Sequence, residues 1–371
     1  MKVPFFDSTR EYAQHKIEFD SAVEKVMTSG SFILGKDVAD FEDKIKQYTG
    51  AKYAIGVANG SDALIIASDI LGYKNAEVLT PAFTFFSSAS CIARVGGKPV
   101  FCDIDADTYC IDMQDAESRI TKKTQGIIPV HLFLQTADMD KCLEIAKNNS
   151  ISILEDAAEA FGMQRRCGGK IKHSGTMGDF GVFSFFPTKT LGGYGDGGMI
   201  ITNNDELYQK AKSYRVHGAA QKYYHDYVGY NSRLDTLQAA VLNVKMKIID
   251  CGIEKRASHA AQYHSLLQNI HQIKLPVVLQ NNKEVYYVFC IQAEKRDALA
   301  EFLKQNEIGT SIYYPVPLHL QKCFSYLGYR KGDFPVAEML CEKVLALPMF
   351  PELTENEISY VCEKIQDFYK K

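Results

Sequence analysis

The chain has 371 residues, 46% of them hydrophobic and 23% charged, with a formal net charge of −3. That length accommodates two domains and a large core, and the near balance of charge argues against nucleic acid or an anionic membrane as the main partner. With no apolar run of membrane-spanning length, no basic segment leading into an apolar one at the start, and ten scattered cysteines (Cys102, Cys290 and Cys341 in apolar contexts) without a C-x-x-C pair, the protein is expected to be cytoplasmic with reduced cysteines mostly in its core.

Helical spacing of apolar residues predicts helices over 17–27 and 37–48, the second placing Val38, Phe41 and Ile45 on one face. The stretch between them, Ser29-Gly30-Ser31-Phe32-Ile33-Leu34-Gly35, reads as a mobile link. From Lys52 the pattern becomes short apolar runs at 53–57, 77–79, 99–103, 126–131, 152–155, 181–186 and 198–202. Helices fit between them at 61–71, 87–94, 139–148 and 205–214. This alternation predicts an α/β domain whose mainly parallel seven-stranded sheet carries helices on both faces. Ligands of such sheets bind beyond the carboxyl ends of the strands. A long helix from Lys245 to Leu267 is expected to leave this domain. Strands at 286–292 and 311–314 and helices at 296–305 and 336–346 then predict a smaller C-terminal α+β domain. The expected division is 1–246 and 247–371.

The residues at the predicted strand ends carry the chemistry. Asp179 to Gly198 reads DFGVFSFFPTKTLGGYGDGG, an apolar run followed by Pro187-Thr188-Lys189 and then five glycines. A lysine so placed is expected to be poorly shielded and buried. Burial disfavours the ammonium, and a neutral amine forms an imine with an aldehyde. Gly60-Ser61 opens a helix after the first run, which offers either an anion site or a plain cap made by Ser61 or Asp62. Asp156 ends an apolar strand and needs a cation, either an arginine or the protonated ring nitrogen of pyridoxal phosphate. Phe85 either stacks on a flat heterocycle or belongs to the core. Ser184, on the run that leads to Lys189, is within reach of a phosphate.

Five ordered motifs carry a resemblance: Ala58-Asn59-Gly60-Ser61-Asp62-Ala63-Leu64, Pro81-Ala82-Phe83-Thr84-Phe85, Glu155-Asp156-Ala157-Ala158, Phe183-Ser184-Phe185-Phe186-Pro187-Thr188-Lys189 and Gly229-Tyr230-Asn231-Ser232-Arg233-Leu234-Asp235. Over nearly the whole chain they resemble the sugar-nucleotide aminotransferases of the DegT/DnrJ/EryC1/StrS family. The resemblance implies the aspartate-aminotransferase-like fold (fold type I) and pyridoxal 5′-phosphate as cofactor, with no metal. It implies Lys189 as the imine-forming lysine and proton shuttle, Asp156 as the partner of the ring nitrogen, Phe85 as the stacking residue, and Gly60, Ser61 and Ser184 as phosphate ligands. Asn231 resembles a residue that reaches the phosphate from the other subunit, implying a homodimer with shared sites, and Arg233 one that meets the donor's carboxylate. Glu159 stands near the cofactor's O3′, where many relatives carry glutamine or histidine; a carboxylate beside a phenolate oxygen is unfavourable unless one is protonated. Tyr313, Tyr314, His217, Lys222 and His225 are expected to touch the substrate, the two histidines alternatively being ordinary interface or surface residues. The implied reaction moves the amino group of L-glutamate to a nucleotide-linked ketosugar for a surface glycan. The 229–235 run favours a 3-ketosugar, UDP- or dTDP-linked, over a 4-keto-6-deoxy sugar. Lys189 argues against the related dehydratase branch, which has histidine there. The remaining alternative is a non-catalytic regulator that binds the cofactor or a sugar nucleotide.

Overall fold

The computed structural model describes residues 1–370. Its centre is a seven-stranded sheet in the order Tyr53–Val57, Gly198–Thr202, Phe180–Ser184, Ser152–Asp156, Thr124–Ile127, Glu77–Pro81, Lys98–Cys102. Gly198–Thr202 runs antiparallel to both neighbours and the other pairs are parallel. This is the mainly parallel seven-stranded sheet that the alternation of apolar runs and helices predicts. The run predicted to reach His131 leaves regular pairing at Ile127, because Pro129 has no N–H to give to a ladder. Contact with the neighbouring strand resumes beyond it. His131 N–H donates to the Asp156 carbonyl at 3.0 Å, and Asp156 N–H donates to the Pro129 carbonyl at 3.0 Å. The Asp156 backbone is thereby fixed at the sheet's edge of regularity.

The N-terminal helices run Ser8–Gln14, Lys16–Ser29 and Lys36–Thr49, the first of them unforeseen. The link between the last two is held rather than mobile. Thr236 N–H donates to the Phe32 carbonyl at 3.0 Å, and Gly35 N–H to Thr236 Oγ1 at 3.2 Å. The expected long helix starts later, at Ile249, after a separate helix over Thr236–Lys245. We propose the boundary of the smaller unit between these two helices. Beyond it, Phe289–Ala293 pairs antiparallel with Ile273–Lys274 and with Val344–Leu347. The helix expected over 336–346 is Pro335–Lys343, and its last predicted turn is instead that third strand. Of the expected 311–314 strand, Ser311 alone makes a bridge, to Ala346. One apolar core joins Phe83, Phe101 and Phe133 of the sheet region to Phe289, Leu345 and Ile365. Within the smaller unit, Arg256, 2% exposed, ties the Ile249–Leu267 helix to the following segments by donating from Nη1 to the carbonyls of Tyr286, Tyr287 and Met349.

No described helix is long and apolar enough to cross a membrane. All ten cysteines are free, eight buried and two (Cys251 and Cys323) exposed.

The chain ends are clamped by a bidentate pair, Arg10 Nη1 to Glu357 Oε2 at 2.8 Å and Nη2 to Oε1 at 2.7 Å. The Arg10 bonds draw the Glu357 carboxyl down to about 2 from an ordinary 4.5, against the opposing effect of burial. A depressed folded pKa contributes stability above the unfolded value and loses it as pH falls through the folded one. Glu357→Gln should therefore melt a few degrees lower than wild type at neutral pH. Paired thermal melts should show that gap closing between pH 4.5 and about 2.

Candidate active site

The carboxyl ends of the strands open onto a cleft of about 510 Å³. Lys189 reaches it because the chain turns sharply after the Phe180–Ser184 strand. Lys189 N–H donates back to the Phe186 carbonyl at 2.9 Å, and Gly193 N–H to the Phe185 carbonyl at 2.8 Å. Glycine is required at 192, where a Cβ would lie 2.4 Å from the Pro187 carbonyl oxygen. Lys189 Nζ then sits 3.1 Å from Glu159 Oε1 and 4.4 Å from the centre of the Tyr287 ring, with 14% of its side chain exposed. The expectation that burial leaves this lysine easily deprotonated is not met. Burial does oppose the ammonium, but the Glu159 charge, followed by Tyr287 and Asp156, outweighs it and holds Lys189 above the ordinary lysine range.

Asp156, 4% exposed, takes a hydrogen bond from Ser88 Oγ at 2.6 Å and another from Ala158 N–H at 3.1 Å. Thr84 Oγ1 stands 3.2 Å behind the Ser88 hydroxyl. No arginine pairs with Asp156 among the described residues. Burial pushes its carboxyl up, against the lowering effect of those two hydrogen bonds. A buried acid with two donors and no salt bridge has room for one more cation.

Opposite it, the Gly60–Ile70 helix points its N-terminus at the cleft. Its cap is neither Ser61 nor Asp62 but Asn59, whose side-chain oxygen accepts from Asp62 N–H at 2.8 Å. Ser61 Oγ is left to face Ser87 Oγ at 2.6 Å, and Ser184 lines the same corner. A Cβ on Gly60 would stand 2.7 Å from Ser184 Cβ, so any larger residue would close this corner. Phe85 is 57% exposed, which removes the core reading for it; its ring lies 6.4 Å from that of Tyr314. Tyr313 and Tyr314, joined by a cis peptide bond, line the cleft, and Tyr314 OH donates to Glu159 Oε1 at 3.4 Å.

The cleft thus brings together Gly60, Ser61, Phe85, Asp156, Glu159, Ser184, Lys189, Tyr313 and Tyr314. Ser88 is not among the residues expected from the sequence, although it stands in the first turn of the Ser87–Arg94 helix, shortly after a strand tip. Nor is Tyr287, which only packing of the C-terminal unit brings to Lys189. Asn231 and Arg233, bonded to each other, lie instead in an adjoining groove of about 550 Å³ that shares Asn59 and Asp196 with the cleft. His217, Lys222 and His225 are farther still. They line a cleft of about 1110 Å³ around the Ala219–Gln221 and Tyr224–His225 hairpin, which shares Arg233 with the groove. Within one chain, Lys189 is the sole cation among the described residues lining the first cleft, which also holds Asp156, Glu159 and Asp196.

The residues fit pyridoxal phosphate: a buried unpaired carboxylate for the ring nitrogen, a lysine for the aldehyde, and an exposed aromatic for the ring face. A helix N-terminus flanked by hydroxyls and a glycine that cannot carry a side chain suits the phosphate.

Residues 13–366 match the model of the DegT/DnrJ/EryC1/StrS aminotransferase family. A pleiotropic regulatory protein of Geobacillus stearothermophilus is 48% identical over 100% of this chain and 99% of its own length. A UDP-2-acetamido-2-deoxy-3-oxo-D-glucuronate aminotransferase of Pseudomonas aeruginosa is 39% identical over 97% and 98%. A dTDP-3-amino-3,4,6-trideoxy-α-D-glucose transaminase of Micromonospora megalomicea is 36% identical over 96% of each chain. Among solved structures, NtdA of Bacillus subtilis with bound PMP superposes with a TM-score of 0.91 at 29% identity, covering 100% of this chain and 86% of that one.

Proposed function

The chain belongs to the DegT/DnrJ/EryC1/StrS aminotransferase family and is a pyridoxal 5′-phosphate-dependent aminotransferase; from that premise we propose that it moves the amino group of L-glutamate to a nucleotide-linked 3-ketosugar. The observation that carries the catalytic part is the placement of Lys189 and Asp156 in one cleft beneath a helix N-terminus. The 3-keto assignment draws support from relatives named for UDP-linked 3-oxo and dTDP-linked 3-amino sugars.

The bound cofactor supplies an electron sink that makes the α-hydrogen of an amino acid acidic. The protein supplies the rest. Asp156, kept dry and held in place by Ser88, would keep the ring nitrogen protonated. Gly60, Ser61 and Ser184 would hold the phosphate, and Phe85 one face of the ring. Lys189 Nζ would capture the aldehyde and, when freed, take a proton from the donor's α-carbon and return it on the other side of the transfer. With the keto substrate, the same nitrogen would run these proton movements in reverse.

A phosphate and a dicarboxylic donor bring more negative charge than one lysine and a helix end can balance. We propose that a second copy of the chain supplies the remainder, with Asn231 at the phosphate, Arg233 at the donor carboxylate, and His217, Lys222 and His225 along the sugar nucleotide. Exposed apolar side chains edge all three hollows: Phe85 and Phe186 the first, Ile33 the second, Leu34 the third. Such surface suits burial against another subunit.

The test is product analysis. Protein with cofactor and L-glutamate, given UDP- or dTDP-linked 3-keto or 4-keto sugars, should form an amino sugar nucleotide from a 3-ketosugar, detected by mass. Amination of 4-ketosugars alone would overturn the keto assignment. The regulator reading has a specific support in the name of the 48% identical relative, but it gives no account of why Lys189 and Asp156 face one cleft. No amination of any ketosugar would favour it.

A further inference from the structure

The Lys189–Glu159 contact asks for more than a cofactor ligand at position 159. Glu159 is 6% exposed. One of its oxygens receives Lys189 Nζ at 3.1 Å and Tyr314 OH at 3.4 Å, and the other faces Phe133 N–H at 3.4 Å. The three partners come from three separate parts of the chain, so the carboxylate is placed and not merely nearby. We propose, resting on the assignment of Lys189 as the aldehyde-binding lysine, that Glu159 is the counter-ion of Lys189, keeping it an ammonium in the cofactor-free protein and thereby setting the pH at which the cofactor is captured.

Each group facing Lys189 supports this assignment. Asp156 faces it from the strand tip and is already bonded to Ser88 and Ala158. Asp196 approaches from the glycine loop. Tyr287 presents its ring face to Nζ, and its hydroxyl is 3.2 Å from Thr188 Oγ1. Tyr313 and Tyr314 are both held above the ordinary tyrosine range, chiefly by burial, and so stay neutral. Among the described residues, Glu159 is the one carboxylate in hydrogen-bond contact with Nζ. An ion pair in a cleft this dry is strongly coupled, so removing the anion destabilises the cation.

The chemistry balances simply. The ammonium loses one proton to solvent, the amine nitrogen forms a double bond to the aldehyde carbon as the C=O bond breaks, and the carbonyl oxygen leaves as water with the two remaining N–H protons. Nothing is oxidised or reduced. The pH at which the first step becomes easy is the pH at which capture becomes fast.

The experiment follows the growth of the visible band when cofactor-free, full-length protein is mixed with pyridoxal 5′-phosphate across neutral and alkaline pH. Borohydride trapping and peptide mass then locate the adduct. Glu159→Gln should shift the midpoint of the rate profile by at least about one unit to lower pH. At neutral pH it should capture on the order of tenfold faster or more, since each unit taken from the lysine pKa raises the free-amine fraction tenfold. Glu159→Ala should shift the profile the same way, and Glu159→Asp should keep the wild-type profile. A wild-type midpoint in Glu159→Gln or in Glu159→Ala, or loss of capture in either variant when circular dichroism shows it folded, would overturn the proposal. Lys189→Ala separates the two levels. If it still acquires the band, the lysine assignment fails and the proposal with it; if it does not, and Glu159→Gln tracks wild type, only the proposal fails.

Discussion

Lys189→Ala should lower amino transfer on the order of 10⁴-fold, the upper end of what a positioned acid–base group contributes. The loss is expected in kcat more than in KM, because the amine acts on the reacting atoms while Phe85, Ser61, Ser184 and the helix N-terminus still hold the rest of the cofactor. Bound cofactor should also lose its visible band, since among the described residues no other amine lines the cleft. Steady-state rates paired with absorption spectra check both statements. A variant with near wild-type rate would remove Lys189 from the chemistry.

Asp156→Asn should cost roughly 10²- to 10⁴-fold, from about 3–5 kcal/mol for breaking a buried charge pair. Asparagine keeps the shape and can still accept from Ser88, but it has no charge with which to keep the ring nitrogen protonated. The expected mark is a slower proton removal from the donor with the visible band still present, read by single-turnover kinetics with L-glutamate. Because Asp156 is fixed through its backbone to Pro129 and His131 and through its side chain to Ser88 and Ala158, the substitution should leave the fold intact. A variant that bleaches as fast as wild type would contradict the assignment.

Much of this site was legible because its residues stand at the ends of short apolar runs. Lys189 is announced by an apolar strand, a proline and a glycine-rich loop, and Asp156 by the run Ile151 to Leu154. What was not legible depended on partners distant along the chain. Burial alone pointed to a depressed lysine, but Glu159, 30 residues upstream, reverses the direction. Tyr287 reaches Lys189 only because the C-terminal unit packs on the sheet through the shared core. The strand Val344–Leu347 was read as helix because the periodicity of Pro335–Lys343 continues into it, and only its partner Phe289–Ala293 distinguishes the two. Pro129 was a local signal overlooked: it marks where a parallel strand gives up its ladder, and it lies within the predicted run. The link at 29–35 reads as mobile from its two glycines and two serines, while the hydrogen bonds that hold it reach Thr236, about 200 residues away.

The most direct measurement is the visible spectrum of the cofactor-loaded protein through one full cycle. L-Glutamate should bleach the yellow band. After the donor is removed, a nucleotide-linked 3-ketosugar should restore it while a 4-keto analogue does not. A protein that shows no such band after reconstitution, or whose band L-glutamate leaves unchanged, would contradict the account at its centre.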